Sequence, residues 1–250
     1  MKKTIMFFGA HADDMEIRAG GTMRKFADKG YDAVSVMLTN NLCGGYASDE
    51  AEEYIATGPA ETSELRHREA REAAEVLGAK LVFMDFMENS YFDGEKRVFF
   101  GAEGYDVENT IGREPLMVAP YLAHCIEDTA QVLIEHEPEI VITHNIANCN
   151  PEHCAAAHLT HRAFLQARGR ADLGELWFTC RVQSSSDIIR LSPDVLIDIT
   201  DYHETKWEAL QKHRSQRIAY DRVRVTDEYW GKVAGVKYAE PFRTIIGRTR

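Results

Sequence analysis

The chain has 250 residues, 44% of them hydrophobic, and a formal net charge of −11. That length suits one α/β domain with a large core. The acidic balance excludes nucleic acid and anionic membrane surfaces as partners, since both are held by clustered Lys and Arg. No apolar run reaches membrane-spanning length, and Met1-Lys2-Lys3-Thr4 leads straight into an apolar strand pattern without a signal-peptide layout. Five scattered cysteines (Cys43, Cys125, Cys149, Cys154 and Cys180) contain no CxxC pair, which points to reduced thiols and a cytoplasmic setting.

The first element is the run Thr4-Ile5-Met6-Phe7-Phe8, short and apolar enough for a buried strand. It leads through Gly9-Ala10-His11-Ala12-Asp13-Asp14-Met15-Glu16 and Gly20-Gly21-Thr22 into a helical pattern over residues 22–27, closed by Gly30. An imidazole and two adjacent carboxylates therefore sit on a strand-to-helix turn. Ligands of open α/β sheets bind at such strand ends. Neighbouring carboxylates on an extended turn face different ways, so one can ligate a metal while the other moves protons.

Residues 33–38 form a second strand pattern, followed by a Gly- and acid-rich loop to about residue 59. A helix over residues 61–77 is stopped by Gly78, and residues 80–84 form a third strand with Asp85 just past its end. Residues 86–117 have no clean period and carry Tyr91, Phe92, Phe99, Phe100 and Tyr105; this insertion reads as a lid or an oligomer contact. A helix over residues 118–135 precedes the strand-like Glu139-Ile140-Val141-Ile142. Then come a helix over residues 151–167, strands near residues 175–180 and 194–199, and a helix over residues 201–215. Such alternation predicts parallel pairing with right-handed crossovers. The expected fold is a Rossmann-like, doubly wound α/β sheet in a single domain over residues 1–250.

The segment His144-Asn145-Ile146-Ala147-Asn148-Cys149-Asn150-Pro151-Glu152-His153 completes the chemistry. Asn150 reads as an N-cap and Pro151 as the first helical residue, which puts His153 in the first turn. If both strands are parallel, His153 and His11 share one edge of the sheet. Two His and one Asp with an open fourth position is the donor set of a catalytic zinc site. These two segments resemble the signatures of the PIG-L/LmbE-like zinc-dependent de-N-acetylases, (A/P)-H-P-D-D-x-E near the N-terminus and H-P-D-H in the middle. Lys212-His213-Arg214-Ser215-Gln216 and Tyr238-Ala239-Glu240-Pro241-Phe242 also resemble late segments of that family, so the likeness spans nearly the whole chain.

The resemblance implies His11, Asp14 and His153 as metal ligands and Asp13 as the catalytic base. Glu16 has either an orienting role or that of a helix-start carboxylate. Arg66, with Glu69 in an Arg-x-x-Glu pattern, and Asp85 match an Arg and an acid that hold substrate hydroxyls in sugar-processing members; a solvated helix face is the other reading of Arg66. The cofactor expected is one Zn²⁺ per chain, with Fe²⁺ also suited to two His and a carboxylate. Relatives form trimers or hexamers, so a homo-oligomer is expected too.

Two departures stand out. Ala12 replaces the usual Pro, and Asn150 stands where many members carry the first His of H-P-D-H, which helps stabilise the oxyanion. Asn150 can serve as a neutral donor, and His144 is the candidate to reach in and compensate. Glu152 replaces Asp. Cys149 and Cys154 flank the motif, as buried thiols more readily than as ligands. His158 and His161 share the helix of His153, but they lie about 140° around it and about 12 Å along it, so neither joins the ligand set. His67, His124, His136, His203 and His213 belong to no ligand motif.

The expected function is hydrolysis of an N-acetyl group from an N-acetylated amino sugar or its conjugate. Cleavage of a larger amide in a thiol–sugar conjugate is the alternative within hydrolases, and a non-catalytic carbohydrate-binding protein the alternative outside them. A dinucleotide-binding protein is excluded because the turn after the first strand lacks G-x-G-x-x-G.

Overall fold

The computed structural model describes residues 3–43, 58–92, 97–99, 113–148, 150–180, 191–216 and 218–248. The chain opens with β1 (Thr4–Gly9), α1 (Asp14–Asp28), β2 (Asp32–Thr39), α2 (Pro59–Leu77) and β3 (Ala79–Phe86). A hairpin of β4 (Ser90–Phe92) and β5 (Arg97–Phe99) precedes α3 (Ala123–His136), β6 (Ile140–Thr143), α4 (Pro151–Ala167) and β7 (Glu175–Thr179). The last elements are β8 (Val195–Asp198), α5 (His203–Leu210), α6 (Tyr220–Ala234) and β9 (Ala239–Ile246).

Seven strands form one sheet in the order β3-β2-β1-β6-β7-β9-β8. The β3-β2-β1-β6-β7 part is parallel, and β9 pairs antiparallel with both β7 and β8. Alternation along the central strands feeds two cores. Met6, Phe8 and Val141 point to the layer of α3 and α4, whereas Ile5, Phe7, Ile140 and Ile142 point to the layer of α1, α2 and α5. This is the expected doubly wound, mostly parallel α/β architecture. Order reverses between β1 and β6, the switch point at which such sheets bind ligands.

Differences from the sequence reading have local causes. The glycine pair lies inside α1, which begins eight residues earlier than expected. A Cβ on Gly21 would stand 2.7 Å from Ile199, so glycine there admits a close neighbour rather than ending a helix. Pro120 belongs to a 3₁₀ turn (Ala119–Tyr121), and α3 starts only after it. The segment expected as one helix over 201–215 divides into two 3₁₀ turns around the short α5. Neither α6 nor β9 has a counterpart in the sequence pattern. Within the insertion, Tyr91 and Val98 of the hairpin pack with Leu42 and Met87; residues 100–112, with Phe100 and Tyr105, lie outside the described residues. Cys43, Cys125, Cys154 and Cys180 are thiols, and Cys149 is not among the described residues. No helix among the described residues is long and apolar enough to cross a membrane.

Candidate active site

The turn after β1 closes on itself. Asp14 N–H donates to His11 O (3.3 Å) and His11 N–H donates to Asp14 Oδ2 (2.7 Å). Gly9 lets the turn fold this tightly, since a Cβ there would come within 3.1 Å of Asp14 Cβ. The end of β2 holds the turn from outside. Thr39 N–H and Oγ1 donate to Ala10 O (3.0 and 2.6 Å), and Ala12 N–H donates to Asn41 Oδ1 (2.9 Å). Asn41 takes a left-handed backbone (φ 55°), which Asn tolerates better than most residues.

The other half comes from the start of α4. Asn150 caps the helix by accepting Glu152 N–H on Oδ1 (2.9 Å), which leaves its Nδ2 as a donor. That cap orients the first turn, and His153 Nε2 reaches His11 Nδ1 (3.2 Å) and Asp14 Oδ1 (3.3 Å). The three expected ligands therefore meet, their donor atoms all within 4.8 Å of one another.

Electrostatics suit a cation there. Burial works against charge on His11, but hydrogen bonds to Asp14 and Glu152 outweigh it and raise His11 well above the usual imidazole value. Burial likewise opposes the Asp14 charge, while the facing His153 and hydrogen bonds from His11 and His144 hold that carboxyl well below its usual range. A field that favours a proton between two imidazoles and a buried carboxylate also favours a divalent ion, for which the N/N/O set and the open pocket side are the chemistry of a catalytic zinc site. The residues present thus fit the metal.

Around these ligands opens a pocket of about 440 Å³. Asp13 and Asn150 line it, as expected, and so does Arg66. Arg66 is buried; its Nη1 donates to Cys43 O (2.7 Å) and Nη2 lies 3.7 Å from Asp13 Oδ1.

Two expected residues are placed elsewhere. His144 is fully buried and does not line the pocket. Its Nε2 stands 3.1 Å from both Ala10 N–H and Asp14 Oδ2, and a neutral ring can serve one of them at a time. Burial pushes its pKa down to about 3 against the pull of Asp14, so the ring is neutral. It stands behind Asp14 and His153, outside the pocket that Asn150 lines. Asp85 is exposed, because a left-handed backbone (φ 54°) at a bulge near the end of β3 turns it outward.

Glu88, three residues further on, faces the pocket in its place. Burial and the nearby Glu152 carboxylate push Glu88 up to about 7. Glu88 Oε1 and Glu152 Oε2 both approach His11 Nε2, at 3.5 and 3.1 Å. Glu152 Oε1 accepts Asn89 N–H (2.8 Å), which ties the base of the insertion to the ligand set. Glu16 is buried against His213 (Oε2 to Nε2 3.5 Å) and takes no part in the pocket. Sequence spacing missed Glu88, and also Arg18 and Arg222, which line the pocket from α1 and α6; a lone acid or arginine without a motif carries no signal.

An open α/β sheet with an imidazole–carboxylate donor set at its switch point defines a class of metal-site proteins whose chemistry is performed in the cleft. The chain belongs to the PIG-L family, described as GlcNAc-PI de-N-acetylase, whose family model matches residues 6–164. It is 24% identical to the diacetylchitobiose deacetylase of Thermococcus kodakarensis, over 98% of this chain and 84% of that protein. It is also 24% identical to a 4-oxalmesaconate hydratase of Pseudomonas putida, over 93% of this chain and 79% of that one. Among solved structures, a conserved protein of Thermus thermophilus superposes with a TM-score of 0.70 at 21% identity, covering 100% of this chain and 97% of the other. That likeness concerns the fold.

Proposed function

We propose that this protein is a zinc-dependent N-deacetylase that releases acetate from an N-acetylated amino sugar or its conjugate. The observation that carries the reading is the convergence of His11, Asp14 and His153 beside Asp13, in one pocket at the switch point. His11, Asp14 and His153 would hold the ion, which would supply Lewis acidity and lower the pKa of water at the site.

Asp13 takes a proton from the water that attacks the amide carbonyl, and it gives that proton to the departing amine. Asn150 Nδ2 donates to the carbonyl oxygen as it becomes anionic, as a neutral group. Arg66 and Glu88 hold sugar hydroxyls, with Glu88 in the part expected of Asp85. Water and the amide are consumed; acetate and a free amine result.

A second reading is hydration of an unsaturated carboxylic acid, the kind of activity named for the Pseudomonas putida relative. Three arginines in the pocket, Arg18, Arg66 and Arg222, favour it. The same base and donor set would serve.

One experiment separates these. Metal content is measured on the wild type and on His153→Ala, with acetate release followed over a panel of N-acetylglucosamine conjugates. Asp13→Asn is assayed alongside. The deacetylase reading expects about one zinc per chain, its loss in His153→Ala, and acetate from some panel member; Asp13→Asn keeps the zinc but is slower by roughly 10²–10⁴-fold. A metal-loaded protein that yields no acetate but hydrates an unsaturated dicarboxylate would establish the second reading. No metal after reconstitution would sink both.

A further inference from the structure

The pocket is electrostatically two-sided. Its carboxylates, Asp13, Asp14, Glu88 and Glu152, come from the turn after β1 with the first residue of α1, from the stretch just after β3 and from the start of α4. The opposite wall is built by the second turn of α1, by α6 and by the segment leading into α6. Ile17, Ile218, Ala219 and Val223 line it together with Arg18 and Arg222, and it contributes no acid to the lining. Arg18 is buried, and Arg222 is exposed, its guanidinium with no hydrogen-bond or ion-pair partner among the described residues. The chain carries more acidic than basic residues, 40 to 29, so two guanidinium groups in one acid-free wall run against its own composition.

We infer that this wall is a subsite for an anionic group on the substrate, a carboxylate or a phosphate, carried beyond the reacting bond and held by Arg18 and Arg222. The inference rests on reading the pocket as the active site, and it holds whether the reaction is deacetylation or hydration. Guanidinium groups suit the task because their planar forks pair with carboxylate and phosphate oxygens two at a time. The apolar side chains of the same wall strengthen the attraction at the buried Arg18 by lowering the local dielectric.

The test compares three glycosides of N-acetylglucosamine on metal-loaded protein: methyl, carboxymethyl and 2-phosphoethyl. A charge-assisted hydrogen bond is worth enough to raise kcat/KM for an anionic glycoside by roughly tenfold or more over the methyl one. In Arg222→Gln that preference falls toward one, through KM and not kcat; Arg18→Gln does the same if it folds, and Arg222, being exposed, is the safer variant. Preference for the carboxymethyl arm identifies a carboxylate, and preference for the phosphoethyl arm a phosphate. Equal kcat/KM for all three in the wild type, or a preference that survives in Arg222→Gln and in folded Arg18→Gln, overturns the inference.

Should no glycoside release acetate, the deacetylase reading fails while the subsite stays testable. Succinate and inorganic phosphate are then titrated calorimetrically into metal-loaded wild type and Arg222→Gln. Affinity lower by roughly tenfold in the variant for either anion supports the subsite; equal affinities for both anions overturn it.

Discussion

His144 and His153 stack face to face, with ring centroids 4.1 Å apart and planes 5° from parallel. One ring faces the pocket and the other is sealed behind it, 3.1 Å from the far oxygen of Asp14. A buried imidazole in that position fixes the tilt of one ligand and the rotation of another. Groups that orient metal ligands typically change metal affinity or activity by roughly 10–100-fold when removed.

His144→Ala is therefore expected to weaken metal binding by roughly 10–100-fold in a chelator competition, with a smaller change in kcat once metal is saturating. Asn150→Ala should do the reverse. It keeps the metal, lowers kcat by removing a donor to the oxyanion, and loses about 1 kcal/mol of stability because the helix cap goes with it. Wild-type metal affinity in His144→Ala would refute the positioning role.

Lys206 is fully buried, with Nζ 2.8 Å from both Asp227 Oδ2 and Glu240 Oε1. Glu240 also accepts the backbone N–H groups of Gly21 and Thr22 in α1 (3.1 and 2.7 Å). The ammonium thus joins α5, α6, β9 and α1. Removing it strands two carboxylates in the interior, which costs about 3–5 kcal/mol for a broken buried pair. Lys206→Met should lower the urea midpoint by a corresponding amount even though it fills the same space; a loss under about 1 kcal/mol would show that the network relaxes or takes up water.

His213 gives a pH signature separate from the metal. Burial pulls its pKa down, but the facing Glu16 carboxylate outweighs this and the net shift is upward from 6.5. Folding therefore favours the protonated ring. Its stabilising contribution is complete below about pH 6.5, the unfolded value, and is lost as pH rises through the higher folded value. In urea unfolding from pH 6 to 9, the stability advantage of the wild type over His213→Gln should shrink as pH rises. A constant advantage across that range would mean that folding does not raise the His213 pKa.

Much of the parallel half of the protein was legible in the sequence because its signals are local. Five apolar residues before a turn mark β1, Gly78 at φ 68° stops α2, and Asn150-Pro151 starts α4 at the expected residue. The C-terminal third was less readable. Of α6, only Val223, Asp227 and Gly231 are buried, so its apolar period is faint, and β9 belongs to the sheet through antiparallel partners remote in sequence. The glycine pair misled for a related reason: small residues that disfavour a helix by local rules here lie inside α1 and Gly21 admits Ile199 from far along the chain.

The same division runs through the candidate site. The sequence by itself determined where the expected ligands His11, Asp14 and His153 and the expected base Asp13 stand, since they sit at strand ends and helix starts whose local rules dictate where they face. Only the tertiary structure decided which neighbours join them. His144 lies one residue after β6 and Asp85 one residue before the end of β3, yet burial behind Asp14 removes the first from the pocket and its own left-handed backbone turns the second to solvent. Glu88, Arg18 and Arg222 enter it because β3, α1 and α6 pack around one switch point. Side-chain direction at a turn follows from a few dihedrals, whereas membership of a pocket depends on how distant elements pack, and no short stretch of sequence encodes that.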